Sequence, residues 1–249
     1  MAALLLCVAC NQAPPKPKPQ SSQQAAGGPQ VRATVVTIQT TLQPSMKSYA
    51  HTLVIANGRA RSGDEVDGWR LFDLKKNSVT FVDDVAKTYR TESLQSLIAK
   101  RRAALALPQS ETLPRVQWST TNAHRAIQGV EATQSVMKLG AYERQLWIGT
   151  HPSIPPELFA MMQASSPLTT SIAGITRAAD DALLNVKGFP LADHAELPYG
   201  KTKMVVDKQV IRVEQRDVPA AWLNVRGDYK DVTHAPAAAP TPPPKRPAK

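Results

Sequence analysis

The spacing of apolar positions along the chain predicts short strands joined by tight turns. Residues 31–41 are rich in Val, Thr and Ile, types whose branched side chains suit a pleated surface. Leu53-Val54-Ile55-Ala56 stops at Asn57-Gly58, a pair that accepts the positive φ of a two-residue hairpin turn. Trp69 to Leu74 and Ser78 to Val82 flank Lys75-Lys76-Asn77, which reads as a second hairpin. Residues 130–139 alternate, with Val130, Ala132 and Val136 on one face. After Gly140 the alternation resumes, bringing Tyr142, Leu146 and Ile148 together. Val205 to Val213 is a further strand-like stretch.

Helical spacing interrupts this pattern. Ser93 is placed to cap a helix with Leu94, Leu97, Ile98 and Leu105 on one face, because its hydroxyl can accept from a free backbone N–H of the first turn. Pro155-Pro156-Glu157 suits the first turn of a short helix through Met162, since proline fixes a helical φ where no N–H is needed. Leu168, Ile172, Ile175, Ala179 and Leu183 share a helical face within 167–184. No internal repeat is visible. The economical arrangement is α+β, one antiparallel sheet with a few helices packed on it.

Composition divides the chain. Its 249 residues suffice for one large domain or two small ones. Of 21 prolines, five lie in 11–30 and six in 235–249. Those segments also hold Lys16, Lys18, Lys245, Arg246 and Lys249, and no Asp or Glu. Five of the ten formal positive charges therefore belong to the tails, leaving +5 for 31–234. A mildly basic domain with basic tails explains the charge without a nucleic-acid partner, and 5% aromatic content argues against stacking platforms for bases. The expected plan is a signal segment in 1–10, a disordered Pro-rich linker in 11–30, one β-rich domain in 31–234 and a disordered Pro/Ala-rich basic tail in 235–249.

The amino-terminal segment sets the expected compartment. Residues 2–9, Ala-Ala-Leu-Leu-Leu-Cys-Val-Ala, are apolar but far shorter than the roughly 20 residues that span a bilayer. Ala9-Cys10 then meets a polar, Pro-rich stretch, which resembles a bacterial lipobox. That resemblance implies lipidation at Cys10 and a location at the bacterial cell envelope, on the periplasmic side, held to the membrane by a lipid anchor. The sequence departs from the pattern at Cys7, where an aliphatic residue is usual, and in having no basic residue before Lys16. A start further upstream would supply that charge. An ordinary cleaved signal, or a short apolar end with no role, remains the alternative. Both cysteines lie here, so the domain holds no disulfide and no thiolate metal site.

Residues that carry chemistry are sparse. His51, His124, His151, His194 and His234 show no metal-ligand spacing. Asp193-His194 with Glu196 reads as a solvated loop before Pro198-Tyr199-Gly200 rather than a metal site. Asp64-Glu65-x-Asp67 lacks the ligand series of a calcium loop and reads as a solvated turn. Lys100-Arg101-Arg102 reads as a wet helix face, with contact to anionic head groups as the alternative. There is no Gly-x-Ser-x-Gly and no phosphate-binding glycine loop. No catalytic residue, cofactor or metal is expected, and the protein reads as a non-enzyme. Trp69, Trp118, Trp147 and Trp222 read as core or cavity lining. Leu158-Phe159-Ala160-Met161-Met162 is either a core helix or the lining of an apolar pocket, since methionine adapts to varied shapes. Leu158, Phe159, Met161 and Met162 are the candidate contacts for an apolar ligand.

Several phrases, taken in order, resemble a family of exported bacterial proteins of unknown function. They are Trp69-Arg70-Leu71-Phe72-Asp73, Val82-Asp83 and Lys87-Thr88-Tyr89, followed by Ile127-Gln128-Gly129-Val130-Glu131-Ala132-Thr133 and Gln145-Leu146-Trp147-Ile148. Lys187-Gly188-Phe189-Pro190-Leu191 and Val213-Glu214-Gln215-Arg216-Asp217-Val218-Pro219 complete the set. The family looks like a relative of the periplasmic lipoprotein carrier and its outer-membrane receptor. The resemblance, over about 31–232, implies a curved, unclosed half-barrel with helices on its concave face. It also implies an apolar ligand, a lipid or lipidated partner, held between sheet and helices. A structural or interaction protein of the envelope that uses only its surface is the competing expectation.

Overall fold

The computed structural model describes residues 28–64, 68–107, 112–167, 173–199 and 202–234. Cys10, the linker and the tail after His234 lie outside them, as do Glu65–Asp67 of the acidic turn and Leu168 and Ile172 of the third helical pattern.

The first half of the chain is a meander. Strands β1 (Gln30–Gln43), β2 (Lys47–Ala56), β3 (Arg59–Asp64), β4 (Gly68–Asp73), β5 (Ser78–Asp83) and β6 (Thr88–Ser93) pair in sequence, each antiparallel to the last. The turns are the ones their residues favour. Asn57 and Gly58 take φ of 54° and 75°, as a turn matching the twist of the flanking strands requires. Helix α1 (Leu94–Ala104) follows at once, and the Ser93 side chain accepts from the Ser96 N–H at 3.1 Å, a cap worth about 1 kcal/mol. The chain then crosses from one edge of the sheet to the other.

The second half returns toward the centre. Strands β7 (Gln117–Ile127), β8 (Val130–Leu139), β9 (Tyr142–Gly149), β10 (Phe189–Tyr199) and β11 (Thr202–Pro219) form a second antiparallel meander, and β11 closes against β1. Helices α2 (Leu158–Ser165) and α3 (Ala173–Leu183) lie between β9 and β10. A two-residue strand, β12 (Lys230–Asp231), pairs parallel with β6. The result is one unclosed sheet in the order β12-β6-β5-β4-β3-β2-β1-β11-β10-β9-β8-β7. The curved α+β sheet carrying a few helices is thus present.

The two edges differ. At β6 the edge is covered by β12. At β7 it is open, but residues 121–123 bulge out of register between Thr120 and His124. A bulge on an edge strand twists its free backbone groups away from further pairing.

Alternate strand residues face the helices and form the main core. Val36, Ile38, Leu53, Ile55, Phe72 and Val79 meet Leu97 of α1, Leu158 and Met161 of α2, and Ala178 and Leu183 of α3. The opposite residues of the first meander, Val35, Val54, Trp69, Leu71 and Val82, form a second core. Residues 219–234 cover it as a strap. Its 3-10 turn, Ala220–Leu223, is tied down where Arg59 Nη1 donates to the Leu223 carbonyl at 3.1 Å and to Asn224 Oδ1 at 2.5 Å. Further along, the Lys230 and Val232 N–H groups donate to Lys87 and Tyr89.

Three sequence expectations change here. In β8 the helix-side phase is Ser135, Met137 and Leu139, all buried, while Val136, on the opposite phase with the buried Ala132, is half-buried. The stretch around Asp193 and His194 is strand β10, not a loop. Pro190 fits because the register with β9 slips between Pro190 and Ala192, where a ladder donor is dispensable. Of Lys100-Arg101-Arg102, Lys100 and Arg102 are exposed as a wet face would be and pair with Glu92 and Asp181, but Arg101 is buried against Asp180.

Candidate functional site

The inner face of the sheet, the one bearing the helices, is organised by two buried ion pairs. Arg101 of α1 donates from Nε and Nη2 to Asp180 Oδ2 of α3 at 2.9 and 2.7 Å. Its Nη1 donates to the Ser166 carbonyl just after α2, and Gln163 of α2 donates to Asp180 Oδ1 at 2.7 Å. One clasp therefore joins all three helices. Removing either partner of such a pair strands a buried charge and costs about 3–5 kcal/mol.

Arg144 on β9 and Asp193 on β10 form the second pair, a two-bond fork at 2.8 and 2.6 Å. Burial opposes charge on both groups, but each partner outweighs it. Asp193 is held below the usual carboxylate range, and Arg144 above the usual guanidinium range. Burial also raises the Tyr142 phenol beside them.

The sequence-derived apolar residues sit at the centre of this arrangement. Leu158, Phe159 and Met161 are 0%, 8% and 0% exposed, packed into the core between α2 and the sheet. Met162 is half-buried against the same core. They plug the space between α2 and the sheet. Glu157 at the start of α2 makes no side-chain cap, so α2 is held by its apolar face and the clasp.

Beside that plug, over β7–β9, lies a cavity of about 810 Å³. Trp118, Val130 and Ile148 give it apolar walls, Thr133 and Ser135 line it with hydroxyls, and Lys187 and Glu131 add a charge of each sign. His151 and Pro152, in the segment that leads to α2, complete one side. Trp118 is 38% exposed, unusually open for an indole on an inner face. Sequence reasoning set Trp118 among possible cavity linings but did not single it out. Thr133, Ser135 and Lys187 carried no local signal.

On the outer face of the same half, His194 Nδ1 lies 2.6 Å from Asp207 Oδ1. This hydrogen bond raises the His194 pKa. Arg125 stacks over Trp147, 4.1 Å from the ring centroid. Among the described residues no group of three or more His, Cys, Asp or Glu is arranged to hold a metal ion. Among them, too, no helix is long and apolar enough to cross a membrane.

No family model matches the sequence, and no curated protein does. Among solved structures, PNGF-II in space group C2 superposes with a TM-score of 0.42 at 11% identity, covering 81% of this chain and 31% of that one. PNGF-II in space group P21 gives 0.38 at 9% identity, over 77% and 30% of the two chains. The chain spans about a third of the length of those structures. At such scores the likeness carries no functional argument.

Proposed function

We propose that this chain is a non-enzymatic lipoprotein of the bacterial envelope, anchored through Cys10, that binds an apolar or amphipathic ligand on the inner face of its sheet. The observation that carries the reading is the cavity over β7–β9. Its volume lies in the range of small-ligand pockets, about 300–1,000 Å³. Its apolar walls suit an acyl chain, and its hydroxyls and Lys187 suit an ester or acid at the chain's end. Thr150, His151 and Pro152 of its lining begin the segment that leads to α2, so a longer ligand would extend toward α2 and its residues Leu158, Phe159, Met161 and Met162. A binding role also fits the two buried carboxylates, Asp180 and Asp193. Each is committed to an arginine, which leaves it ill suited to shuttle protons.

The test is displacement of an anthroyloxy-labelled stearate from the purified full chain by oleate and by phosphatidylglycerol. Saturable binding, weakened about fivefold by Trp118→Ala with the fold intact, supports the reading. No saturable binding of any of these probes overturns it. The anchor is tested separately: an alkyne fatty acid fed to expressing cells labels the protein, and Cys10→Ala abolishes the label. Label that survives the substitution removes Cys10 from the account.

The bare outer face of β7–β11 favours a second reading, an interaction surface in place of a buried ligand. Retained cellular partners with an empty cavity would support it.

A further inference from the structure

We propose that the outer face of β9–β11 is a binding site for a neutral oligosaccharide, a site separate from the inner cavity and independent of what that cavity holds. The strand register builds it. Across the sheet, Gln39 lies opposite Gln209, Gln209 opposite Ala192, and Ala192 opposite Trp147. In the next row Thr41 lies opposite Asp207, Asp207 opposite His194, and His194 opposite Gln145. Ala192 is short between longer neighbours, so a depression of about 500 Å³ opens above it. Trp147 and the Arg125 stacked on it form one wall. Unlike the outer face of β3–β6, this surface carries no strap among the described residues.

The chemistry of the depression selects the ligand. His194 and Asp207 pair at 2.6 Å, and Asp193 and Lys208, which the register directs to the inner face, border the depression from below. What lines it above is a mixture of donors and acceptors: the amides of Gln39, Gln145 and Gln209, the Thr41 hydroxyl, Arg125 and the His194–Asp207 pair. Gln145 donates to Glu143 at 3.0 Å and accepts from Gln134 at 3.2 Å, which fixes its plane and leaves a second N–H free. Gln39 donates to Ser48 at 2.9 Å and keeps its carbonyl free. An amide offers donor and acceptor side by side, and a pair of neighbouring sugar hydroxyls needs both. With Arg125 among the donors and Asp207 among the acceptors, charges of both signs border the depression. A neutral polyol that donates and accepts therefore suits it better than an ion of either sign, and an apolar group would leave both kinds unmet at a desolvation cost. The depression is an open trough rather than an enclosed pocket, so it suits a few linked sugar units better than a compact metabolite.

The experiment is calorimetric titration of the full chain with chitotetraose, cellotetraose and maltotetraose. At least one is expected to bind saturably in the millimolar range or tighter. Gln145→Ala and Gln209→Ala should each weaken it about tenfold with unchanged melting, as loss of well-placed hydrogen bonds does. Ala192→Leu, which fills the floor, should abolish binding. The glutamine variants keep the test decisive if the leucine variant fails to fold. No saturable binding of any of the three sugars overturns the proposal, as does binding that the glutamine variants leave unchanged.

Discussion

Strands β3–β6, with the stretches of β1 and β2 around Ala33–Val35 and Val54–Ala56, carry helices on the inner face and the 219–234 strap on the outer one. Strands β7–β11 carry a cavity on part of their inner face, and their outer face is bare among the described residues. The side chains follow the covering. Where the strap lies, outward positions are Val35, Val54, Trp69 and Leu71. Where nothing lies, they are Gln39, Gln145, His194 and Gln209. The difference teaches where the chain is stabilised and where it is free to bind. The first half is a platform with a pocket of about 340 Å³ between the Asn57-Gly58 turn and the strap, and the second offers more space on one side and hydrogen-bonding capacity on the other.

The largest effect expected from this contrast follows removal of the strap. Ending the chain after Val218 exposes the whole second core and should cost more than the roughly 3–5 kcal/mol of one large core truncation. Ending it after His234 should leave the thermal midpoint unchanged, because the missing segment is Pro- and Ala-rich with no bulky apolar side chains. Comparable losses from both truncations would break the contrast.

Two tryptophans sharpen it. Trp69 packs under the strap, and its indole N–H donates to Asp84 at 3.0 Å. Trp69→Ala should cost about 3–5 kcal/mol in denaturant unfolding. Trp118→Ala, at the open cavity, should cost less than about 1 kcal/mol while weakening ligand binding.

The second half has its own staple in Arg144–Asp193. Asp193→Asn should destabilise by about 3 kcal/mol at neutral pH, since it leaves Arg144 buried without a counter-charge. The wild-type pair stabilises fully above the unfolded aspartate value of about 3.9 and loses that contribution as pH falls through the lower folded value. The variant's stability should therefore fall less steeply in acid.

The smallest effect concerns His194. Asp207 raises its folded pKa, so protons bind more tightly to the folded state. That stabilisation is complete below the unfolded value of about 6.5 and fades as pH rises through the folded one. For so exposed a pair it should stay below about 1 kcal/mol. His194→Gln should remove the slope.

The same contrast explains what the sequence disclosed. Strands covered on both faces are rich in apolar and β-branched residues in both phases, so β1 and the β4–β5 hairpin were legible from composition, as were the Asn57-Gly58 turn and Ser93 as a cap from their residue types. Strand β7 was not, because nearly every residue from Gln117 to Ala126 is exposed and no apolar phase marks it. Strand β10 was hidden by its polar residues, which are satisfied at a distance: Asp193 by Arg144, 49 positions away, and His194 by Asp207 across a turn. Arg101 looked like surface because Asp180, its partner, is 79 positions along the chain. Of the inner cavity, only Trp118 and the approach to α2 left any trace, since its other walls meet only through the strand register.

The most direct test of ligand binding in the open half is hydrogen exchange on the full chain with and without oleate. The account predicts added protection in β7–β9 and in 150–165, with β1–β6 unchanged. Protection confined to β1–β6, or no change anywhere at saturating oleate, would contradict it.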